Sequence, residues 1–292
     1  MEGLASDVEG FRAAAARVSA ATQEAVSRGW RPAPALAGSV GLHCVACAAA
    51  LVAPEQAAWA LATVAGNHLV LGAAGLWPRS SILGRNVTRL PAEAAARGEV
   101  AITFDDGPHP QHTPRVLDLL EAHGARATFF CVAQAARGYP GLVREIVRRG
   151  HRVENHSLRH RATFPLHSVR GYRQELVAAQ EIIADLTGQA PRFFRAPAGL
   201  RNPLLDPALQ SLGLTLVSWT RRGFDARDGN AASVARRLLR GLAPGDILVL
   251  HDGHAARTHR GTPVSLEVLP RVLDAVAQAA LVPVTLHEAM PA

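Results

Sequence analysis

Two adjacent carboxylates and a pair of imidazoles are the residues of this chain best suited to chemistry. Asp105 and Asp106 close an apolar stretch at a sharp Asp-Gly-Pro turn, and His156 and His160 follow about fifty residues later. One carboxylate and two imidazoles suit a borderline divalent metal such as zinc, and they leave coordination positions open for water and substrate. The other carboxylate is then free to act as a base. This pairing predicts a metal-dependent hydrolase.

Each half of the pairing also has an ordinary structural interpretation. An Asp-Asp-Gly-Pro sequence fits a simple turn, and two histidines can be incidental in a chain that has 13. However, the spacing of His156 and His160 places both on one face of a helical turn, or lets a loop fold both inward. Successive residues of an extended chain point in opposite directions, so Asp105 and Asp106 are expected to have different functions. Together, the two motifs favour a metal site.

A third motif, Arg195-Ala196-Pro197-Ala198-Gly199, follows another predicted strand. The guanidinium of Arg195 can hold the base carboxylate through a bidentate contact. The turn around Ala198 exposes backbone N–H groups that suit an oxyanion. The alternative is a surface arginine in front of an ordinary turn.

Later in the chain, Trp219 and Asp225 bracket a strand-to-loop junction, and Leu250-His251 ends a strongly apolar strand. Hydrolysis of an amide requires a general acid that protonates the amine leaving group. Histidine is the residue type whose pKa is most readily tuned for this task. The sequence therefore predicts that His251 belongs to the same site.

The elements that position these residues alternate between strands and helices. Strands are predicted at 100–104, 127–132, 152–155, 192–195, 215–219, 246–251 and 281–286. Helices are predicted at 114–123, 140–149, 169–187, 203–212, 231–242 and 265–280. Thr113 is placed to cap the first of these helices, with Pro114 in its first turn and Gly124 just past its end.

This alternation predicts a parallel sheet covered by helices, either as a barrel or as an open doubly wound sheet. The motifs above fall at the C-terminal ends of successive strands, which is where barrel enzymes assemble their sites. Periodicity alone does not choose between the two architectures.

Two segments near the N-terminus, 35–53 and 57–76, contain no charged side chain. Each is close to the roughly 20 residues that a helix needs to cross the hydrocarbon core of a membrane. Pro54-Glu55-Gln56 makes a turn between them, so we predict a helical hairpin that associates with the membrane through residues 35–76. A buried helical pair of a soluble protein is the alternative, because Ala-rich segments are only weakly hydrophobic.

The chain thus divides into four predicted parts. These are an amphipathic helix at 1–34, a two-helix membrane hairpin at 35–77, a linker at 78–97 and a catalytic domain at 98–292. Arginines flank the hairpin on both sides, Arg28 and Arg31 before it and Arg79 and Arg85 after it. Because cytoplasmic flanks carry the excess of positive charge, we expect a bacterial inner-membrane protein whose catalytic domain faces the cytoplasm.

The composition excludes several function classes. All 31 basic residues are arginine, so a Walker-type phosphate loop and lysine-nucleophile chemistry are ruled out. The net charge of +7 is not accompanied by an aromatic and basic platform, so nucleic acid is not an expected partner. A membrane surface or a polyanionic substrate explains the charge better. The three cysteines give no disulfide framework.

The ordered motifs resemble those of the polysaccharide deacetylase family (NodB-homology, carbohydrate esterase 4). The matching stretches are 103–108, 156–160, 195–199, Asp225 and 250–251. Five motifs in the same order, spread over about 98–290, make the resemblance specific. It implies an α/β fold, a distorted (β/α)7 barrel with an Asp-His-His metal site. It also implies hydrolysis of an N-acyl amide on a sugar, which releases a free amine and acetate or formate.

The resemblance also implies roles for individual residues. Asp105 would be the general base, oriented by Arg195. Asp106, His156 and His160 would hold one divalent metal ion, with zinc expected and cobalt, nickel or manganese as alternatives. The metal would act as a Lewis acid and activate water.

Further roles concern the leaving group and the acyl group. His251 would be the general acid, positioned by Asp225. The backbone N–H of Ala198 would stabilise the oxyanion. Trp219 and Leu250 would line the small acyl pocket.

Two positions depart from the family pattern. Ala226 follows Asp225 where family members often have tryptophan, and Ala198 stands where an aromatic residue often lies. The expected substrate is an amino-sugar glycan or a lipid-linked amino sugar of the cell envelope. The loss of two aromatic residues weakens a sugar-stacking platform, which favours a small or lipid-linked sugar over a long polymer. An O-acyl esterase, a hydrolase of a non-sugar amide and a non-catalytic glycan-binding protein are the alternatives.

Overall fold

The computed structural model describes residues 30–291. An antiparallel pair of helices comes first, α1 (Pro34–Val52) and α2 (Ala57–Leu76), joined by the 3-10 turn Pro54–Gln56. These bounds match the predicted hairpin to within a residue. The predicted amphipathic helix at 1–34 lies almost entirely outside the described residues.

Strands and helices alternate from residue 92 onward. The strands are β1 (Glu99–Asp105), β2 (Ala127–Cys131), β3 (Arg152–Asn155), β4 (Phe193–Phe194), β5 (Thr215–Leu216), β6 (Arg221–Arg222), β7 (Ile247–His251) and β8 (Val282–Pro283). The helices are α3 (Ala92–Ala96), α4 (Thr113–Ala122), α5 (Ala133–Gly138), α6 (Pro140–Arg148), α7 (Val169–Thr187), α8 (Leu205–Gln210), α9 (Ala231–Leu239), α10 (Val264–Gln278) and α11 (Leu286–Ala289).

All the strands belong to one parallel sheet with the order β5-β4-β3-β2-β1-β7-β6, and β8 pairs with β1. A flat sheet of this width would separate its edge strands by roughly 29 Å. Its two edges, β5 and β6, are joined by residues 217–220 alone, a segment that spans at most about 18 Å. The sheet must therefore curl, which confirms the predicted distorted barrel.

The main hydrophobic core lies between the sheet and its outer helices. It includes Ile102 and Phe104 of β1, Phe129 of β2 and Leu117 of α4, all fully buried. Parallel strands covered on both faces become near-continuous apolar runs, as β1, β2 and β7 do. This continuous apolar character is what made the strands recognisable in the sequence.

Some elements were not predicted from the sequence. The two-residue strand β6 and the short helices α3, α5 and α11 are too short to show a period. The predicted cap at Thr113 is wrong, because Thr113 is the first helical residue and His112 precedes it as N-cap. The Thr113 hydroxyl instead donates to Asp252 at 2.5 Å and accepts from the His109 N–H at 2.8 Å.

The hairpin is attached to the barrel through its two ends. The Trp30 indole N–H donates to Asp206 at 3.1 Å, and the Arg201 N–H donates to the Gly75 carbonyl at 3.1 Å. Gly75 cannot carry a side chain, because a Cβ there would lie 2.2 Å from the Arg201 oxygen. The predicted linker at 78–97 also packs on the barrel, with Leu90 and α3 in the apolar cluster below β1.

Polar side chains of the hairpin meet between its two helices. Asn67 donates to the Ser39 hydroxyl at 2.7 Å, and the Nε2 atoms of His43 and His68 lie 3.1 Å apart. The outward surface is apolar, and only 6% of the most hydrophobic window of each helix is buried. Both helices are long and apolar enough to cross a membrane.

Candidate active site

A cavity of about 250 Å³ opens at the C-terminal ends of the strands. Its walls come from the loops that follow β1, β3 and β4, from the segment around β6, and from β7. The lining residues are Asp105, Asp106, His156, His160, Ala198, Gly199, Trp219, Arg222, Ala226, Arg227, Val249, His251 and His254. The parallel topology thus brings together motifs that lie as far apart in sequence as β1 and β7.

Asp106, His156 and His160 form a compact group of potential metal ligands. The Nε2 atoms of His156 and His160 lie 3.2 and 3.1 Å from Oδ1 of Asp106. The three ligand atoms lie within 4.8 Å of one another. Such a group, with one open side facing the cavity, has the composition of a catalytic rather than a structural metal site.

The hydrogen bonds around this group fit a metal ion. Nδ1 of His156 lies 2.9 Å from the Arg195 carbonyl and donates to it, so in the neutral ring the Nε2 that faces Asp106 is the acceptor. Oδ1 of Asp106 is buried and lacks a hydrogen-bond partner among the described residues. Two acceptors that face each other at 3.2 Å repel unless a cation lies between them, so the residues present fit the ion.

Electrostatics favour the ligand forms of these side chains. Burial raises the pKa of Asp106, but the positive charges that His156, His251 and His160 carry when protonated hold it well below its usual value. Burial and the neighbouring His156 lower the pKa of His160. A carboxylate and a neutral imidazole are the forms that bind a divalent ion.

Asp105 points away from the ligand group and is held by Arg195. The Nη1 of Arg195 donates to Asp105 Oδ1 at 2.6 Å and to the Thr103 hydroxyl at 2.7 Å. Its Nε and Nη2 donate to the carbonyls of Val217 and Ser218. Arg195 is fully buried, so its geometry is fixed on every side. This arrangement leaves the second carboxylate oxygen of Asp105 for the cavity.

His251 lies at the end of β7 and is fixed by Asp225. Its Nδ1 donates to Asp225 Oδ1 at 2.9 Å, and its backbone N–H donates to Oδ2 at 2.7 Å. Burial lowers the pKa of His251, but the charge and hydrogen bond of Asp225, with Asp105 and Asp106 nearby, raise it to about 9. An imidazolium therefore lines the cavity at neutral pH, with Nε2 left to act on a ligand.

Ala198 lies in the 3-10 turn Pro197–Gly199, with a left-handed φ of 54°. Its N–H has no acceptor among residues 30–291. Left-handed backbone is costly for residues other than glycine and concentrates at functional sites. Of the six described non-glycine residues with positive φ, three line this cavity: Asp106, His160 and Ala198.

Trp219 lies at the cavity, whereas Leu250 lies away from it. Trp219 is buried against Arg195 and lines the cavity. Leu250 does not line it and lies instead in the main hydrophobic core, so the prediction of Leu250 in the acyl pocket is wrong. Alternate residues of a strand face opposite sides, and Val249 and His251 share the cavity face. The same alternation was available in the sequence and would have identified Val249.

Other residues at the site were missed. Arg222 belongs to the two-residue strand β6, which has no sequence period. His254 follows the His251 motif and enters the cavity wall. Asp252 lies beneath the Asp106-Gly107 turn, where a Cβ on Gly107 would meet its carboxylate at 2.3 Å. Burial, with the charges of Asp106 and Asp105, raises the pKa of Asp252 to about 7.

Comparisons with known sequences agree on one family. The family described as polysaccharide deacetylase matches residues 92–217. A chitooligosaccharide deacetylase of Azorhizobium caulinodans is 34% identical over 161 residues, which cover 54% of this chain and 75% of the relative. A peptidoglycan-N-acetylglucosamine deacetylase of Bacillus cereus is 30% identical over 178 residues, 60% of this chain. The chain spans 64% of the length of that relative.

Comparison with solved structures supports the same grouping. A peptidoglycan N-acetylglucosamine deacetylase in complex with an N-hydroxybenzamide compound superposes with a TM-score of 0.62 at 26% identity. The superposition covers 70% of this chain and 91% of the other. A family 4 carbohydrate esterase from Streptomyces lividans, in complex with acetate, has a TM-score of 0.57 at 31% identity, covering 64% and 91% of the two chains.

Proposed function

Because the chain belongs to the polysaccharide deacetylase family, we propose that it is a metal-dependent N-deacylase of an amino sugar in the bacterial cell envelope. One observation carries the proposal. The ligand group Asp106–His156–His160 shares a single cavity with a carboxylate held by Arg195 and an imidazole held by Asp225. A base, a metal site and an acid are the groups that amide hydrolysis requires.

Asp106, His156 and His160 would hold the ion, and their nitrogen and oxygen donors suit zinc best. The bound ion would supply Lewis acidity and lower the pKa of a water molecule. The hydrogen bond from His156 to the Arg195 carbonyl keeps the ligand ring in its orientation, as outer partners of metal-binding histidines do. Arg195 therefore links the ligand group to the base.

Asp105 is the general base in this proposal. Its carboxylate takes a proton from the attacking water, and the bond from Arg195 fixes the direction of its free oxygen. Because Arg195 is buried and has carbonyl and hydroxyl acceptors on its other N–H groups, the carboxylate cannot rotate away. Such fixed geometry contributes more to the rate than basicity alone, because the reacting atoms must be held within a narrow range of distances and angles.

The free N–H of Ala198 is the oxyanion donor. Backbone donors aimed at a developing negative charge lower the barrier because they need no reorganisation during the reaction. The left-handed φ of Ala198 is backbone strain of the kind that concentrates at functional sites. The side chain is not required for this role, so alanine in place of an aromatic residue is compatible with it.

His251 is the general acid. Its Nε2 gives a proton to the amine nitrogen as the carbon–nitrogen bond breaks, and Asp225 stabilises the imidazolium before this transfer. Trp219 and Val249 narrow the cavity around the acyl group. The small cavity and these apolar walls favour a formyl or acetyl group.

The similar sugar deacetylases and the apolar hairpin support an envelope substrate that is reached from the membrane surface. We propose that α1 and α2 span the inner membrane, with the arginine-rich flanks placing the barrel on the cytoplasmic side. The roles proposed for the site residues are the same for either orientation of the barrel.

The test is acetate release from N-acetylated chito-oligosaccharides and muropeptides by the full chain in detergent. We expect release that a chelator abolishes and that zinc restores. The His156→Gln/His160→Gln variant should be inactive under the same conditions. A folded, zinc-loaded protein that releases no acyl group from any amino sugar would contradict the proposal.

A further inference from the structure

A second groove of about 390 Å³ adjoins the catalytic cavity. Trp219 and Arg222 belong to the walls of both. The groove is lined by Trp77, Pro78, Arg79, Trp219, Thr220, Arg221, Arg222, Phe224 and Arg237. The two spaces therefore meet at Trp219 and Arg222.

The foot of the hairpin forms one side of this groove. Trp77 follows the last helical residue of α2 as its C-cap. Pro78 comes next and packs against Gly199 and Trp219. A Cβ on Gly199 would lie 2.5 Å from Pro78 and 2.8 Å from the Trp219 ring. The end of α2 and the wall of the catalytic cavity are thus in contact, and the groove lies where the two meet.

Within residues 30–291, the guanidinium of Arg222 is not paired with a carboxylate. Its guanidinium lies over the rings of Trp219 at 4.8 Å and Phe224 at 5.0 Å. Over the part of the chain that the structure describes, Arg222 forms no ion pair, and its Nε is buried without a hydrogen-bond partner.

The other arginines of the groove differ in this respect. Arg221 pairs with Asp246 at 2.7 Å, and Arg237 pairs with Asp228 at 2.6 Å. Among the described residues, Arg79 contacts the Thr220 carbonyl at 3.4 Å and no carboxylate. Within residues 30–291, Arg222 and Arg79 are therefore the arginines of the groove that are not in an ion pair.

We propose that Arg222, with Arg79, binds a phosphate group of the substrate, and that the substrate is an amino sugar joined through this phosphate to a membrane lipid. This inference rests on the proposed function and specifies its substrate. A planar guanidinium with unpaired N–H groups suits phosphate oxygens. The rings of Trp219 and Phe224 lie beside the guanidinium, and an apolar surface next to a charge pair strengthens its attraction.

The lipid part follows from the position of the groove. Trp77 is 61% exposed and Phe224 is 46% exposed, and both belong to the groove at the end of an apolar helix. Tryptophan at such a place lies at the level of the lipid headgroups. A phosphate beside Arg222 would have its sugar in the catalytic cavity and its lipid chain along α2.

The experiment measures binding to the full chain in detergent by calorimetry, together with acetate release. The three probes are triacetylchitotriose, N-acetylglucosamine 1-phosphate and the geranyl phosphodiester of N-acetylglucosamine. We expect the geranyl diester to bind at least about tenfold more tightly than chitotriose. Arg222→Gln should remove roughly 10- to 100-fold of this affinity, the range for charge-assisted hydrogen bonds.

Arg271→Gln is the matched control, because Arg271 is an exposed residue of α10 that lines neither cavity. This variant should bind all probes as the wild type does. Arg79→Gln and Trp77→Ala replace exposed residues and provide the test if Arg222→Gln does not fold. Each should weaken the geranyl diester several-fold.

Three results would overturn the inference in whole or in part. Equal affinity of the wild type for chitotriose and the geranyl diester, or equal affinity of Arg222→Gln and wild type for the diester, refutes the phosphate site. Equal affinity for the diester and the sugar 1-phosphate refutes the lipid and leaves the phosphate site. Acetate release from chitotriose reports separately on the proposed function, so failure of one is distinguishable from failure of the other.

Discussion

The hairpin and the barrel use the same apolar residue types in opposite ways. In the barrel, Leu117, Phe104 and Phe129 are fully buried. In the hairpin, Leu69 and Trp59 are 75% and 74% exposed. An exposed apolar surface of this kind on a soluble protein marks a contact with something else. The difference indicates that the barrel makes its own core, whereas the hairpin relies on an apolar medium, which we propose is the lipid bilayer.

The two regions also differ in how they treat buried polar groups. In the hairpin, Ser39 and Asn67 satisfy each other across the helix pair. In the barrel, Asp106 keeps a buried oxygen without a hydrogen-bond partner among the described residues. Buried polar atoms in native proteins are normally paired. Asp106 is one of nine described residues with such an atom, and it is the one that belongs to the ligand group, where an ion would pair with this oxygen.

The largest effect is expected from Asp105→Asn, which removes the base of the barrel site and touches nothing in the hairpin. We expect turnover to fall by about 10³- to 10⁴-fold, in the upper part of the range for general base catalysis. Metal binding should be retained, since Asp105 is not in the ligand group. Asp185→Asn, an exposed residue of α7, is the control and should keep full activity. Near-normal acetate release by Asp105→Asn would refute the assigned role.

The next effect is expected from His251→Asn. Loss of the acid should reduce turnover of an N-acetyl sugar by about 10²- to 10³-fold, because an amine must be protonated before it leaves. Hydrolysis of p-nitrophenyl acetate should fall by less than about tenfold, since its leaving group needs no proton. Parallel kinetics on both substrates provide the measurement. Equal losses on the two substrates would show that His251 has another role.

A third comparison tests the two faces of β7. Leu250→Ala should lower the free energy of unfolding by about 2–5 kcal/mol, as for other buried leucines, and should leave the preference between N-acetyl and N-propionyl sugars unchanged. Val249→Ala should shift this preference toward propionyl by about tenfold, because pocket contacts with one methylene are worth about 1–3 kcal/mol. A changed acyl preference in Leu250→Ala, with none in Val249→Ala, would show that Leu250 lines the acyl pocket.

The hairpin is tested by arginine substitutions on its outer surface. Leu61→Arg/Leu69→Arg should weaken membrane insertion, at a cost of about 2.5–3.5 kcal/mol for each arginine near the centre of a span. Folding of the barrel should be unaffected. Leu166→Arg is the control, because Leu166 is an equally exposed leucine of the barrel. Carbonate extraction of membranes measures the outcome, and full membrane retention of the double variant would contradict a spanning hairpin.

The smallest effect concerns the buried carboxyl of Asp252 in metal-free protein. Its pKa is raised to about 7 by burial and by the charges of Asp106 and Asp105. The folded state therefore binds the proton more tightly than the unfolded state, so stability should fall as pH rises from about 4 to 7 and then level off. Asp252→Asn should lack this fall and gain on the order of 2 kcal/mol at pH 8. Denaturant unfolding at both pH values, with a chelator present, is the measurement.

The sequence predicted those parts of the fold that carry strong periodic signals. The helix at Val169–Thr187 and the strand at Arg152–Asn155 have the predicted bounds, because capping residues and apolar spacing define them locally. β6 was missed, since it forms only through pairing with β7. Its residue Arg222 was missed with it. Local patterns do not report elements that long-range pairing alone creates.

The candidate site was predictable to the extent that its motifs are contiguous. The Asp105–Asp106 pair with His156 and His160 was recognised from residue types and spacing, and the family resemblance assigned Asp106 as the ligand. The structure brings Asp106, His156 and His160 together. The hydrogen bond between Arg195 and Asp105 joins residues far apart in sequence, and the family resemblance supplied that pairing. The groove at Trp77 depends on how the hairpin packs on the barrel, which no local pattern encodes.

The most direct test is the metal content of the purified full chain by mass spectrometry. We predict one divalent ion per chain in the wild type and in Asp105→Asn. Less than about a tenth of that amount is expected in Asp106→Ala and His156→Gln, because loss of one of three protein ligands leaves too few to retain the ion. An unchanged metal content in folded Asp106→Ala and His156→Gln would contradict the central claim that these side chains hold the ion.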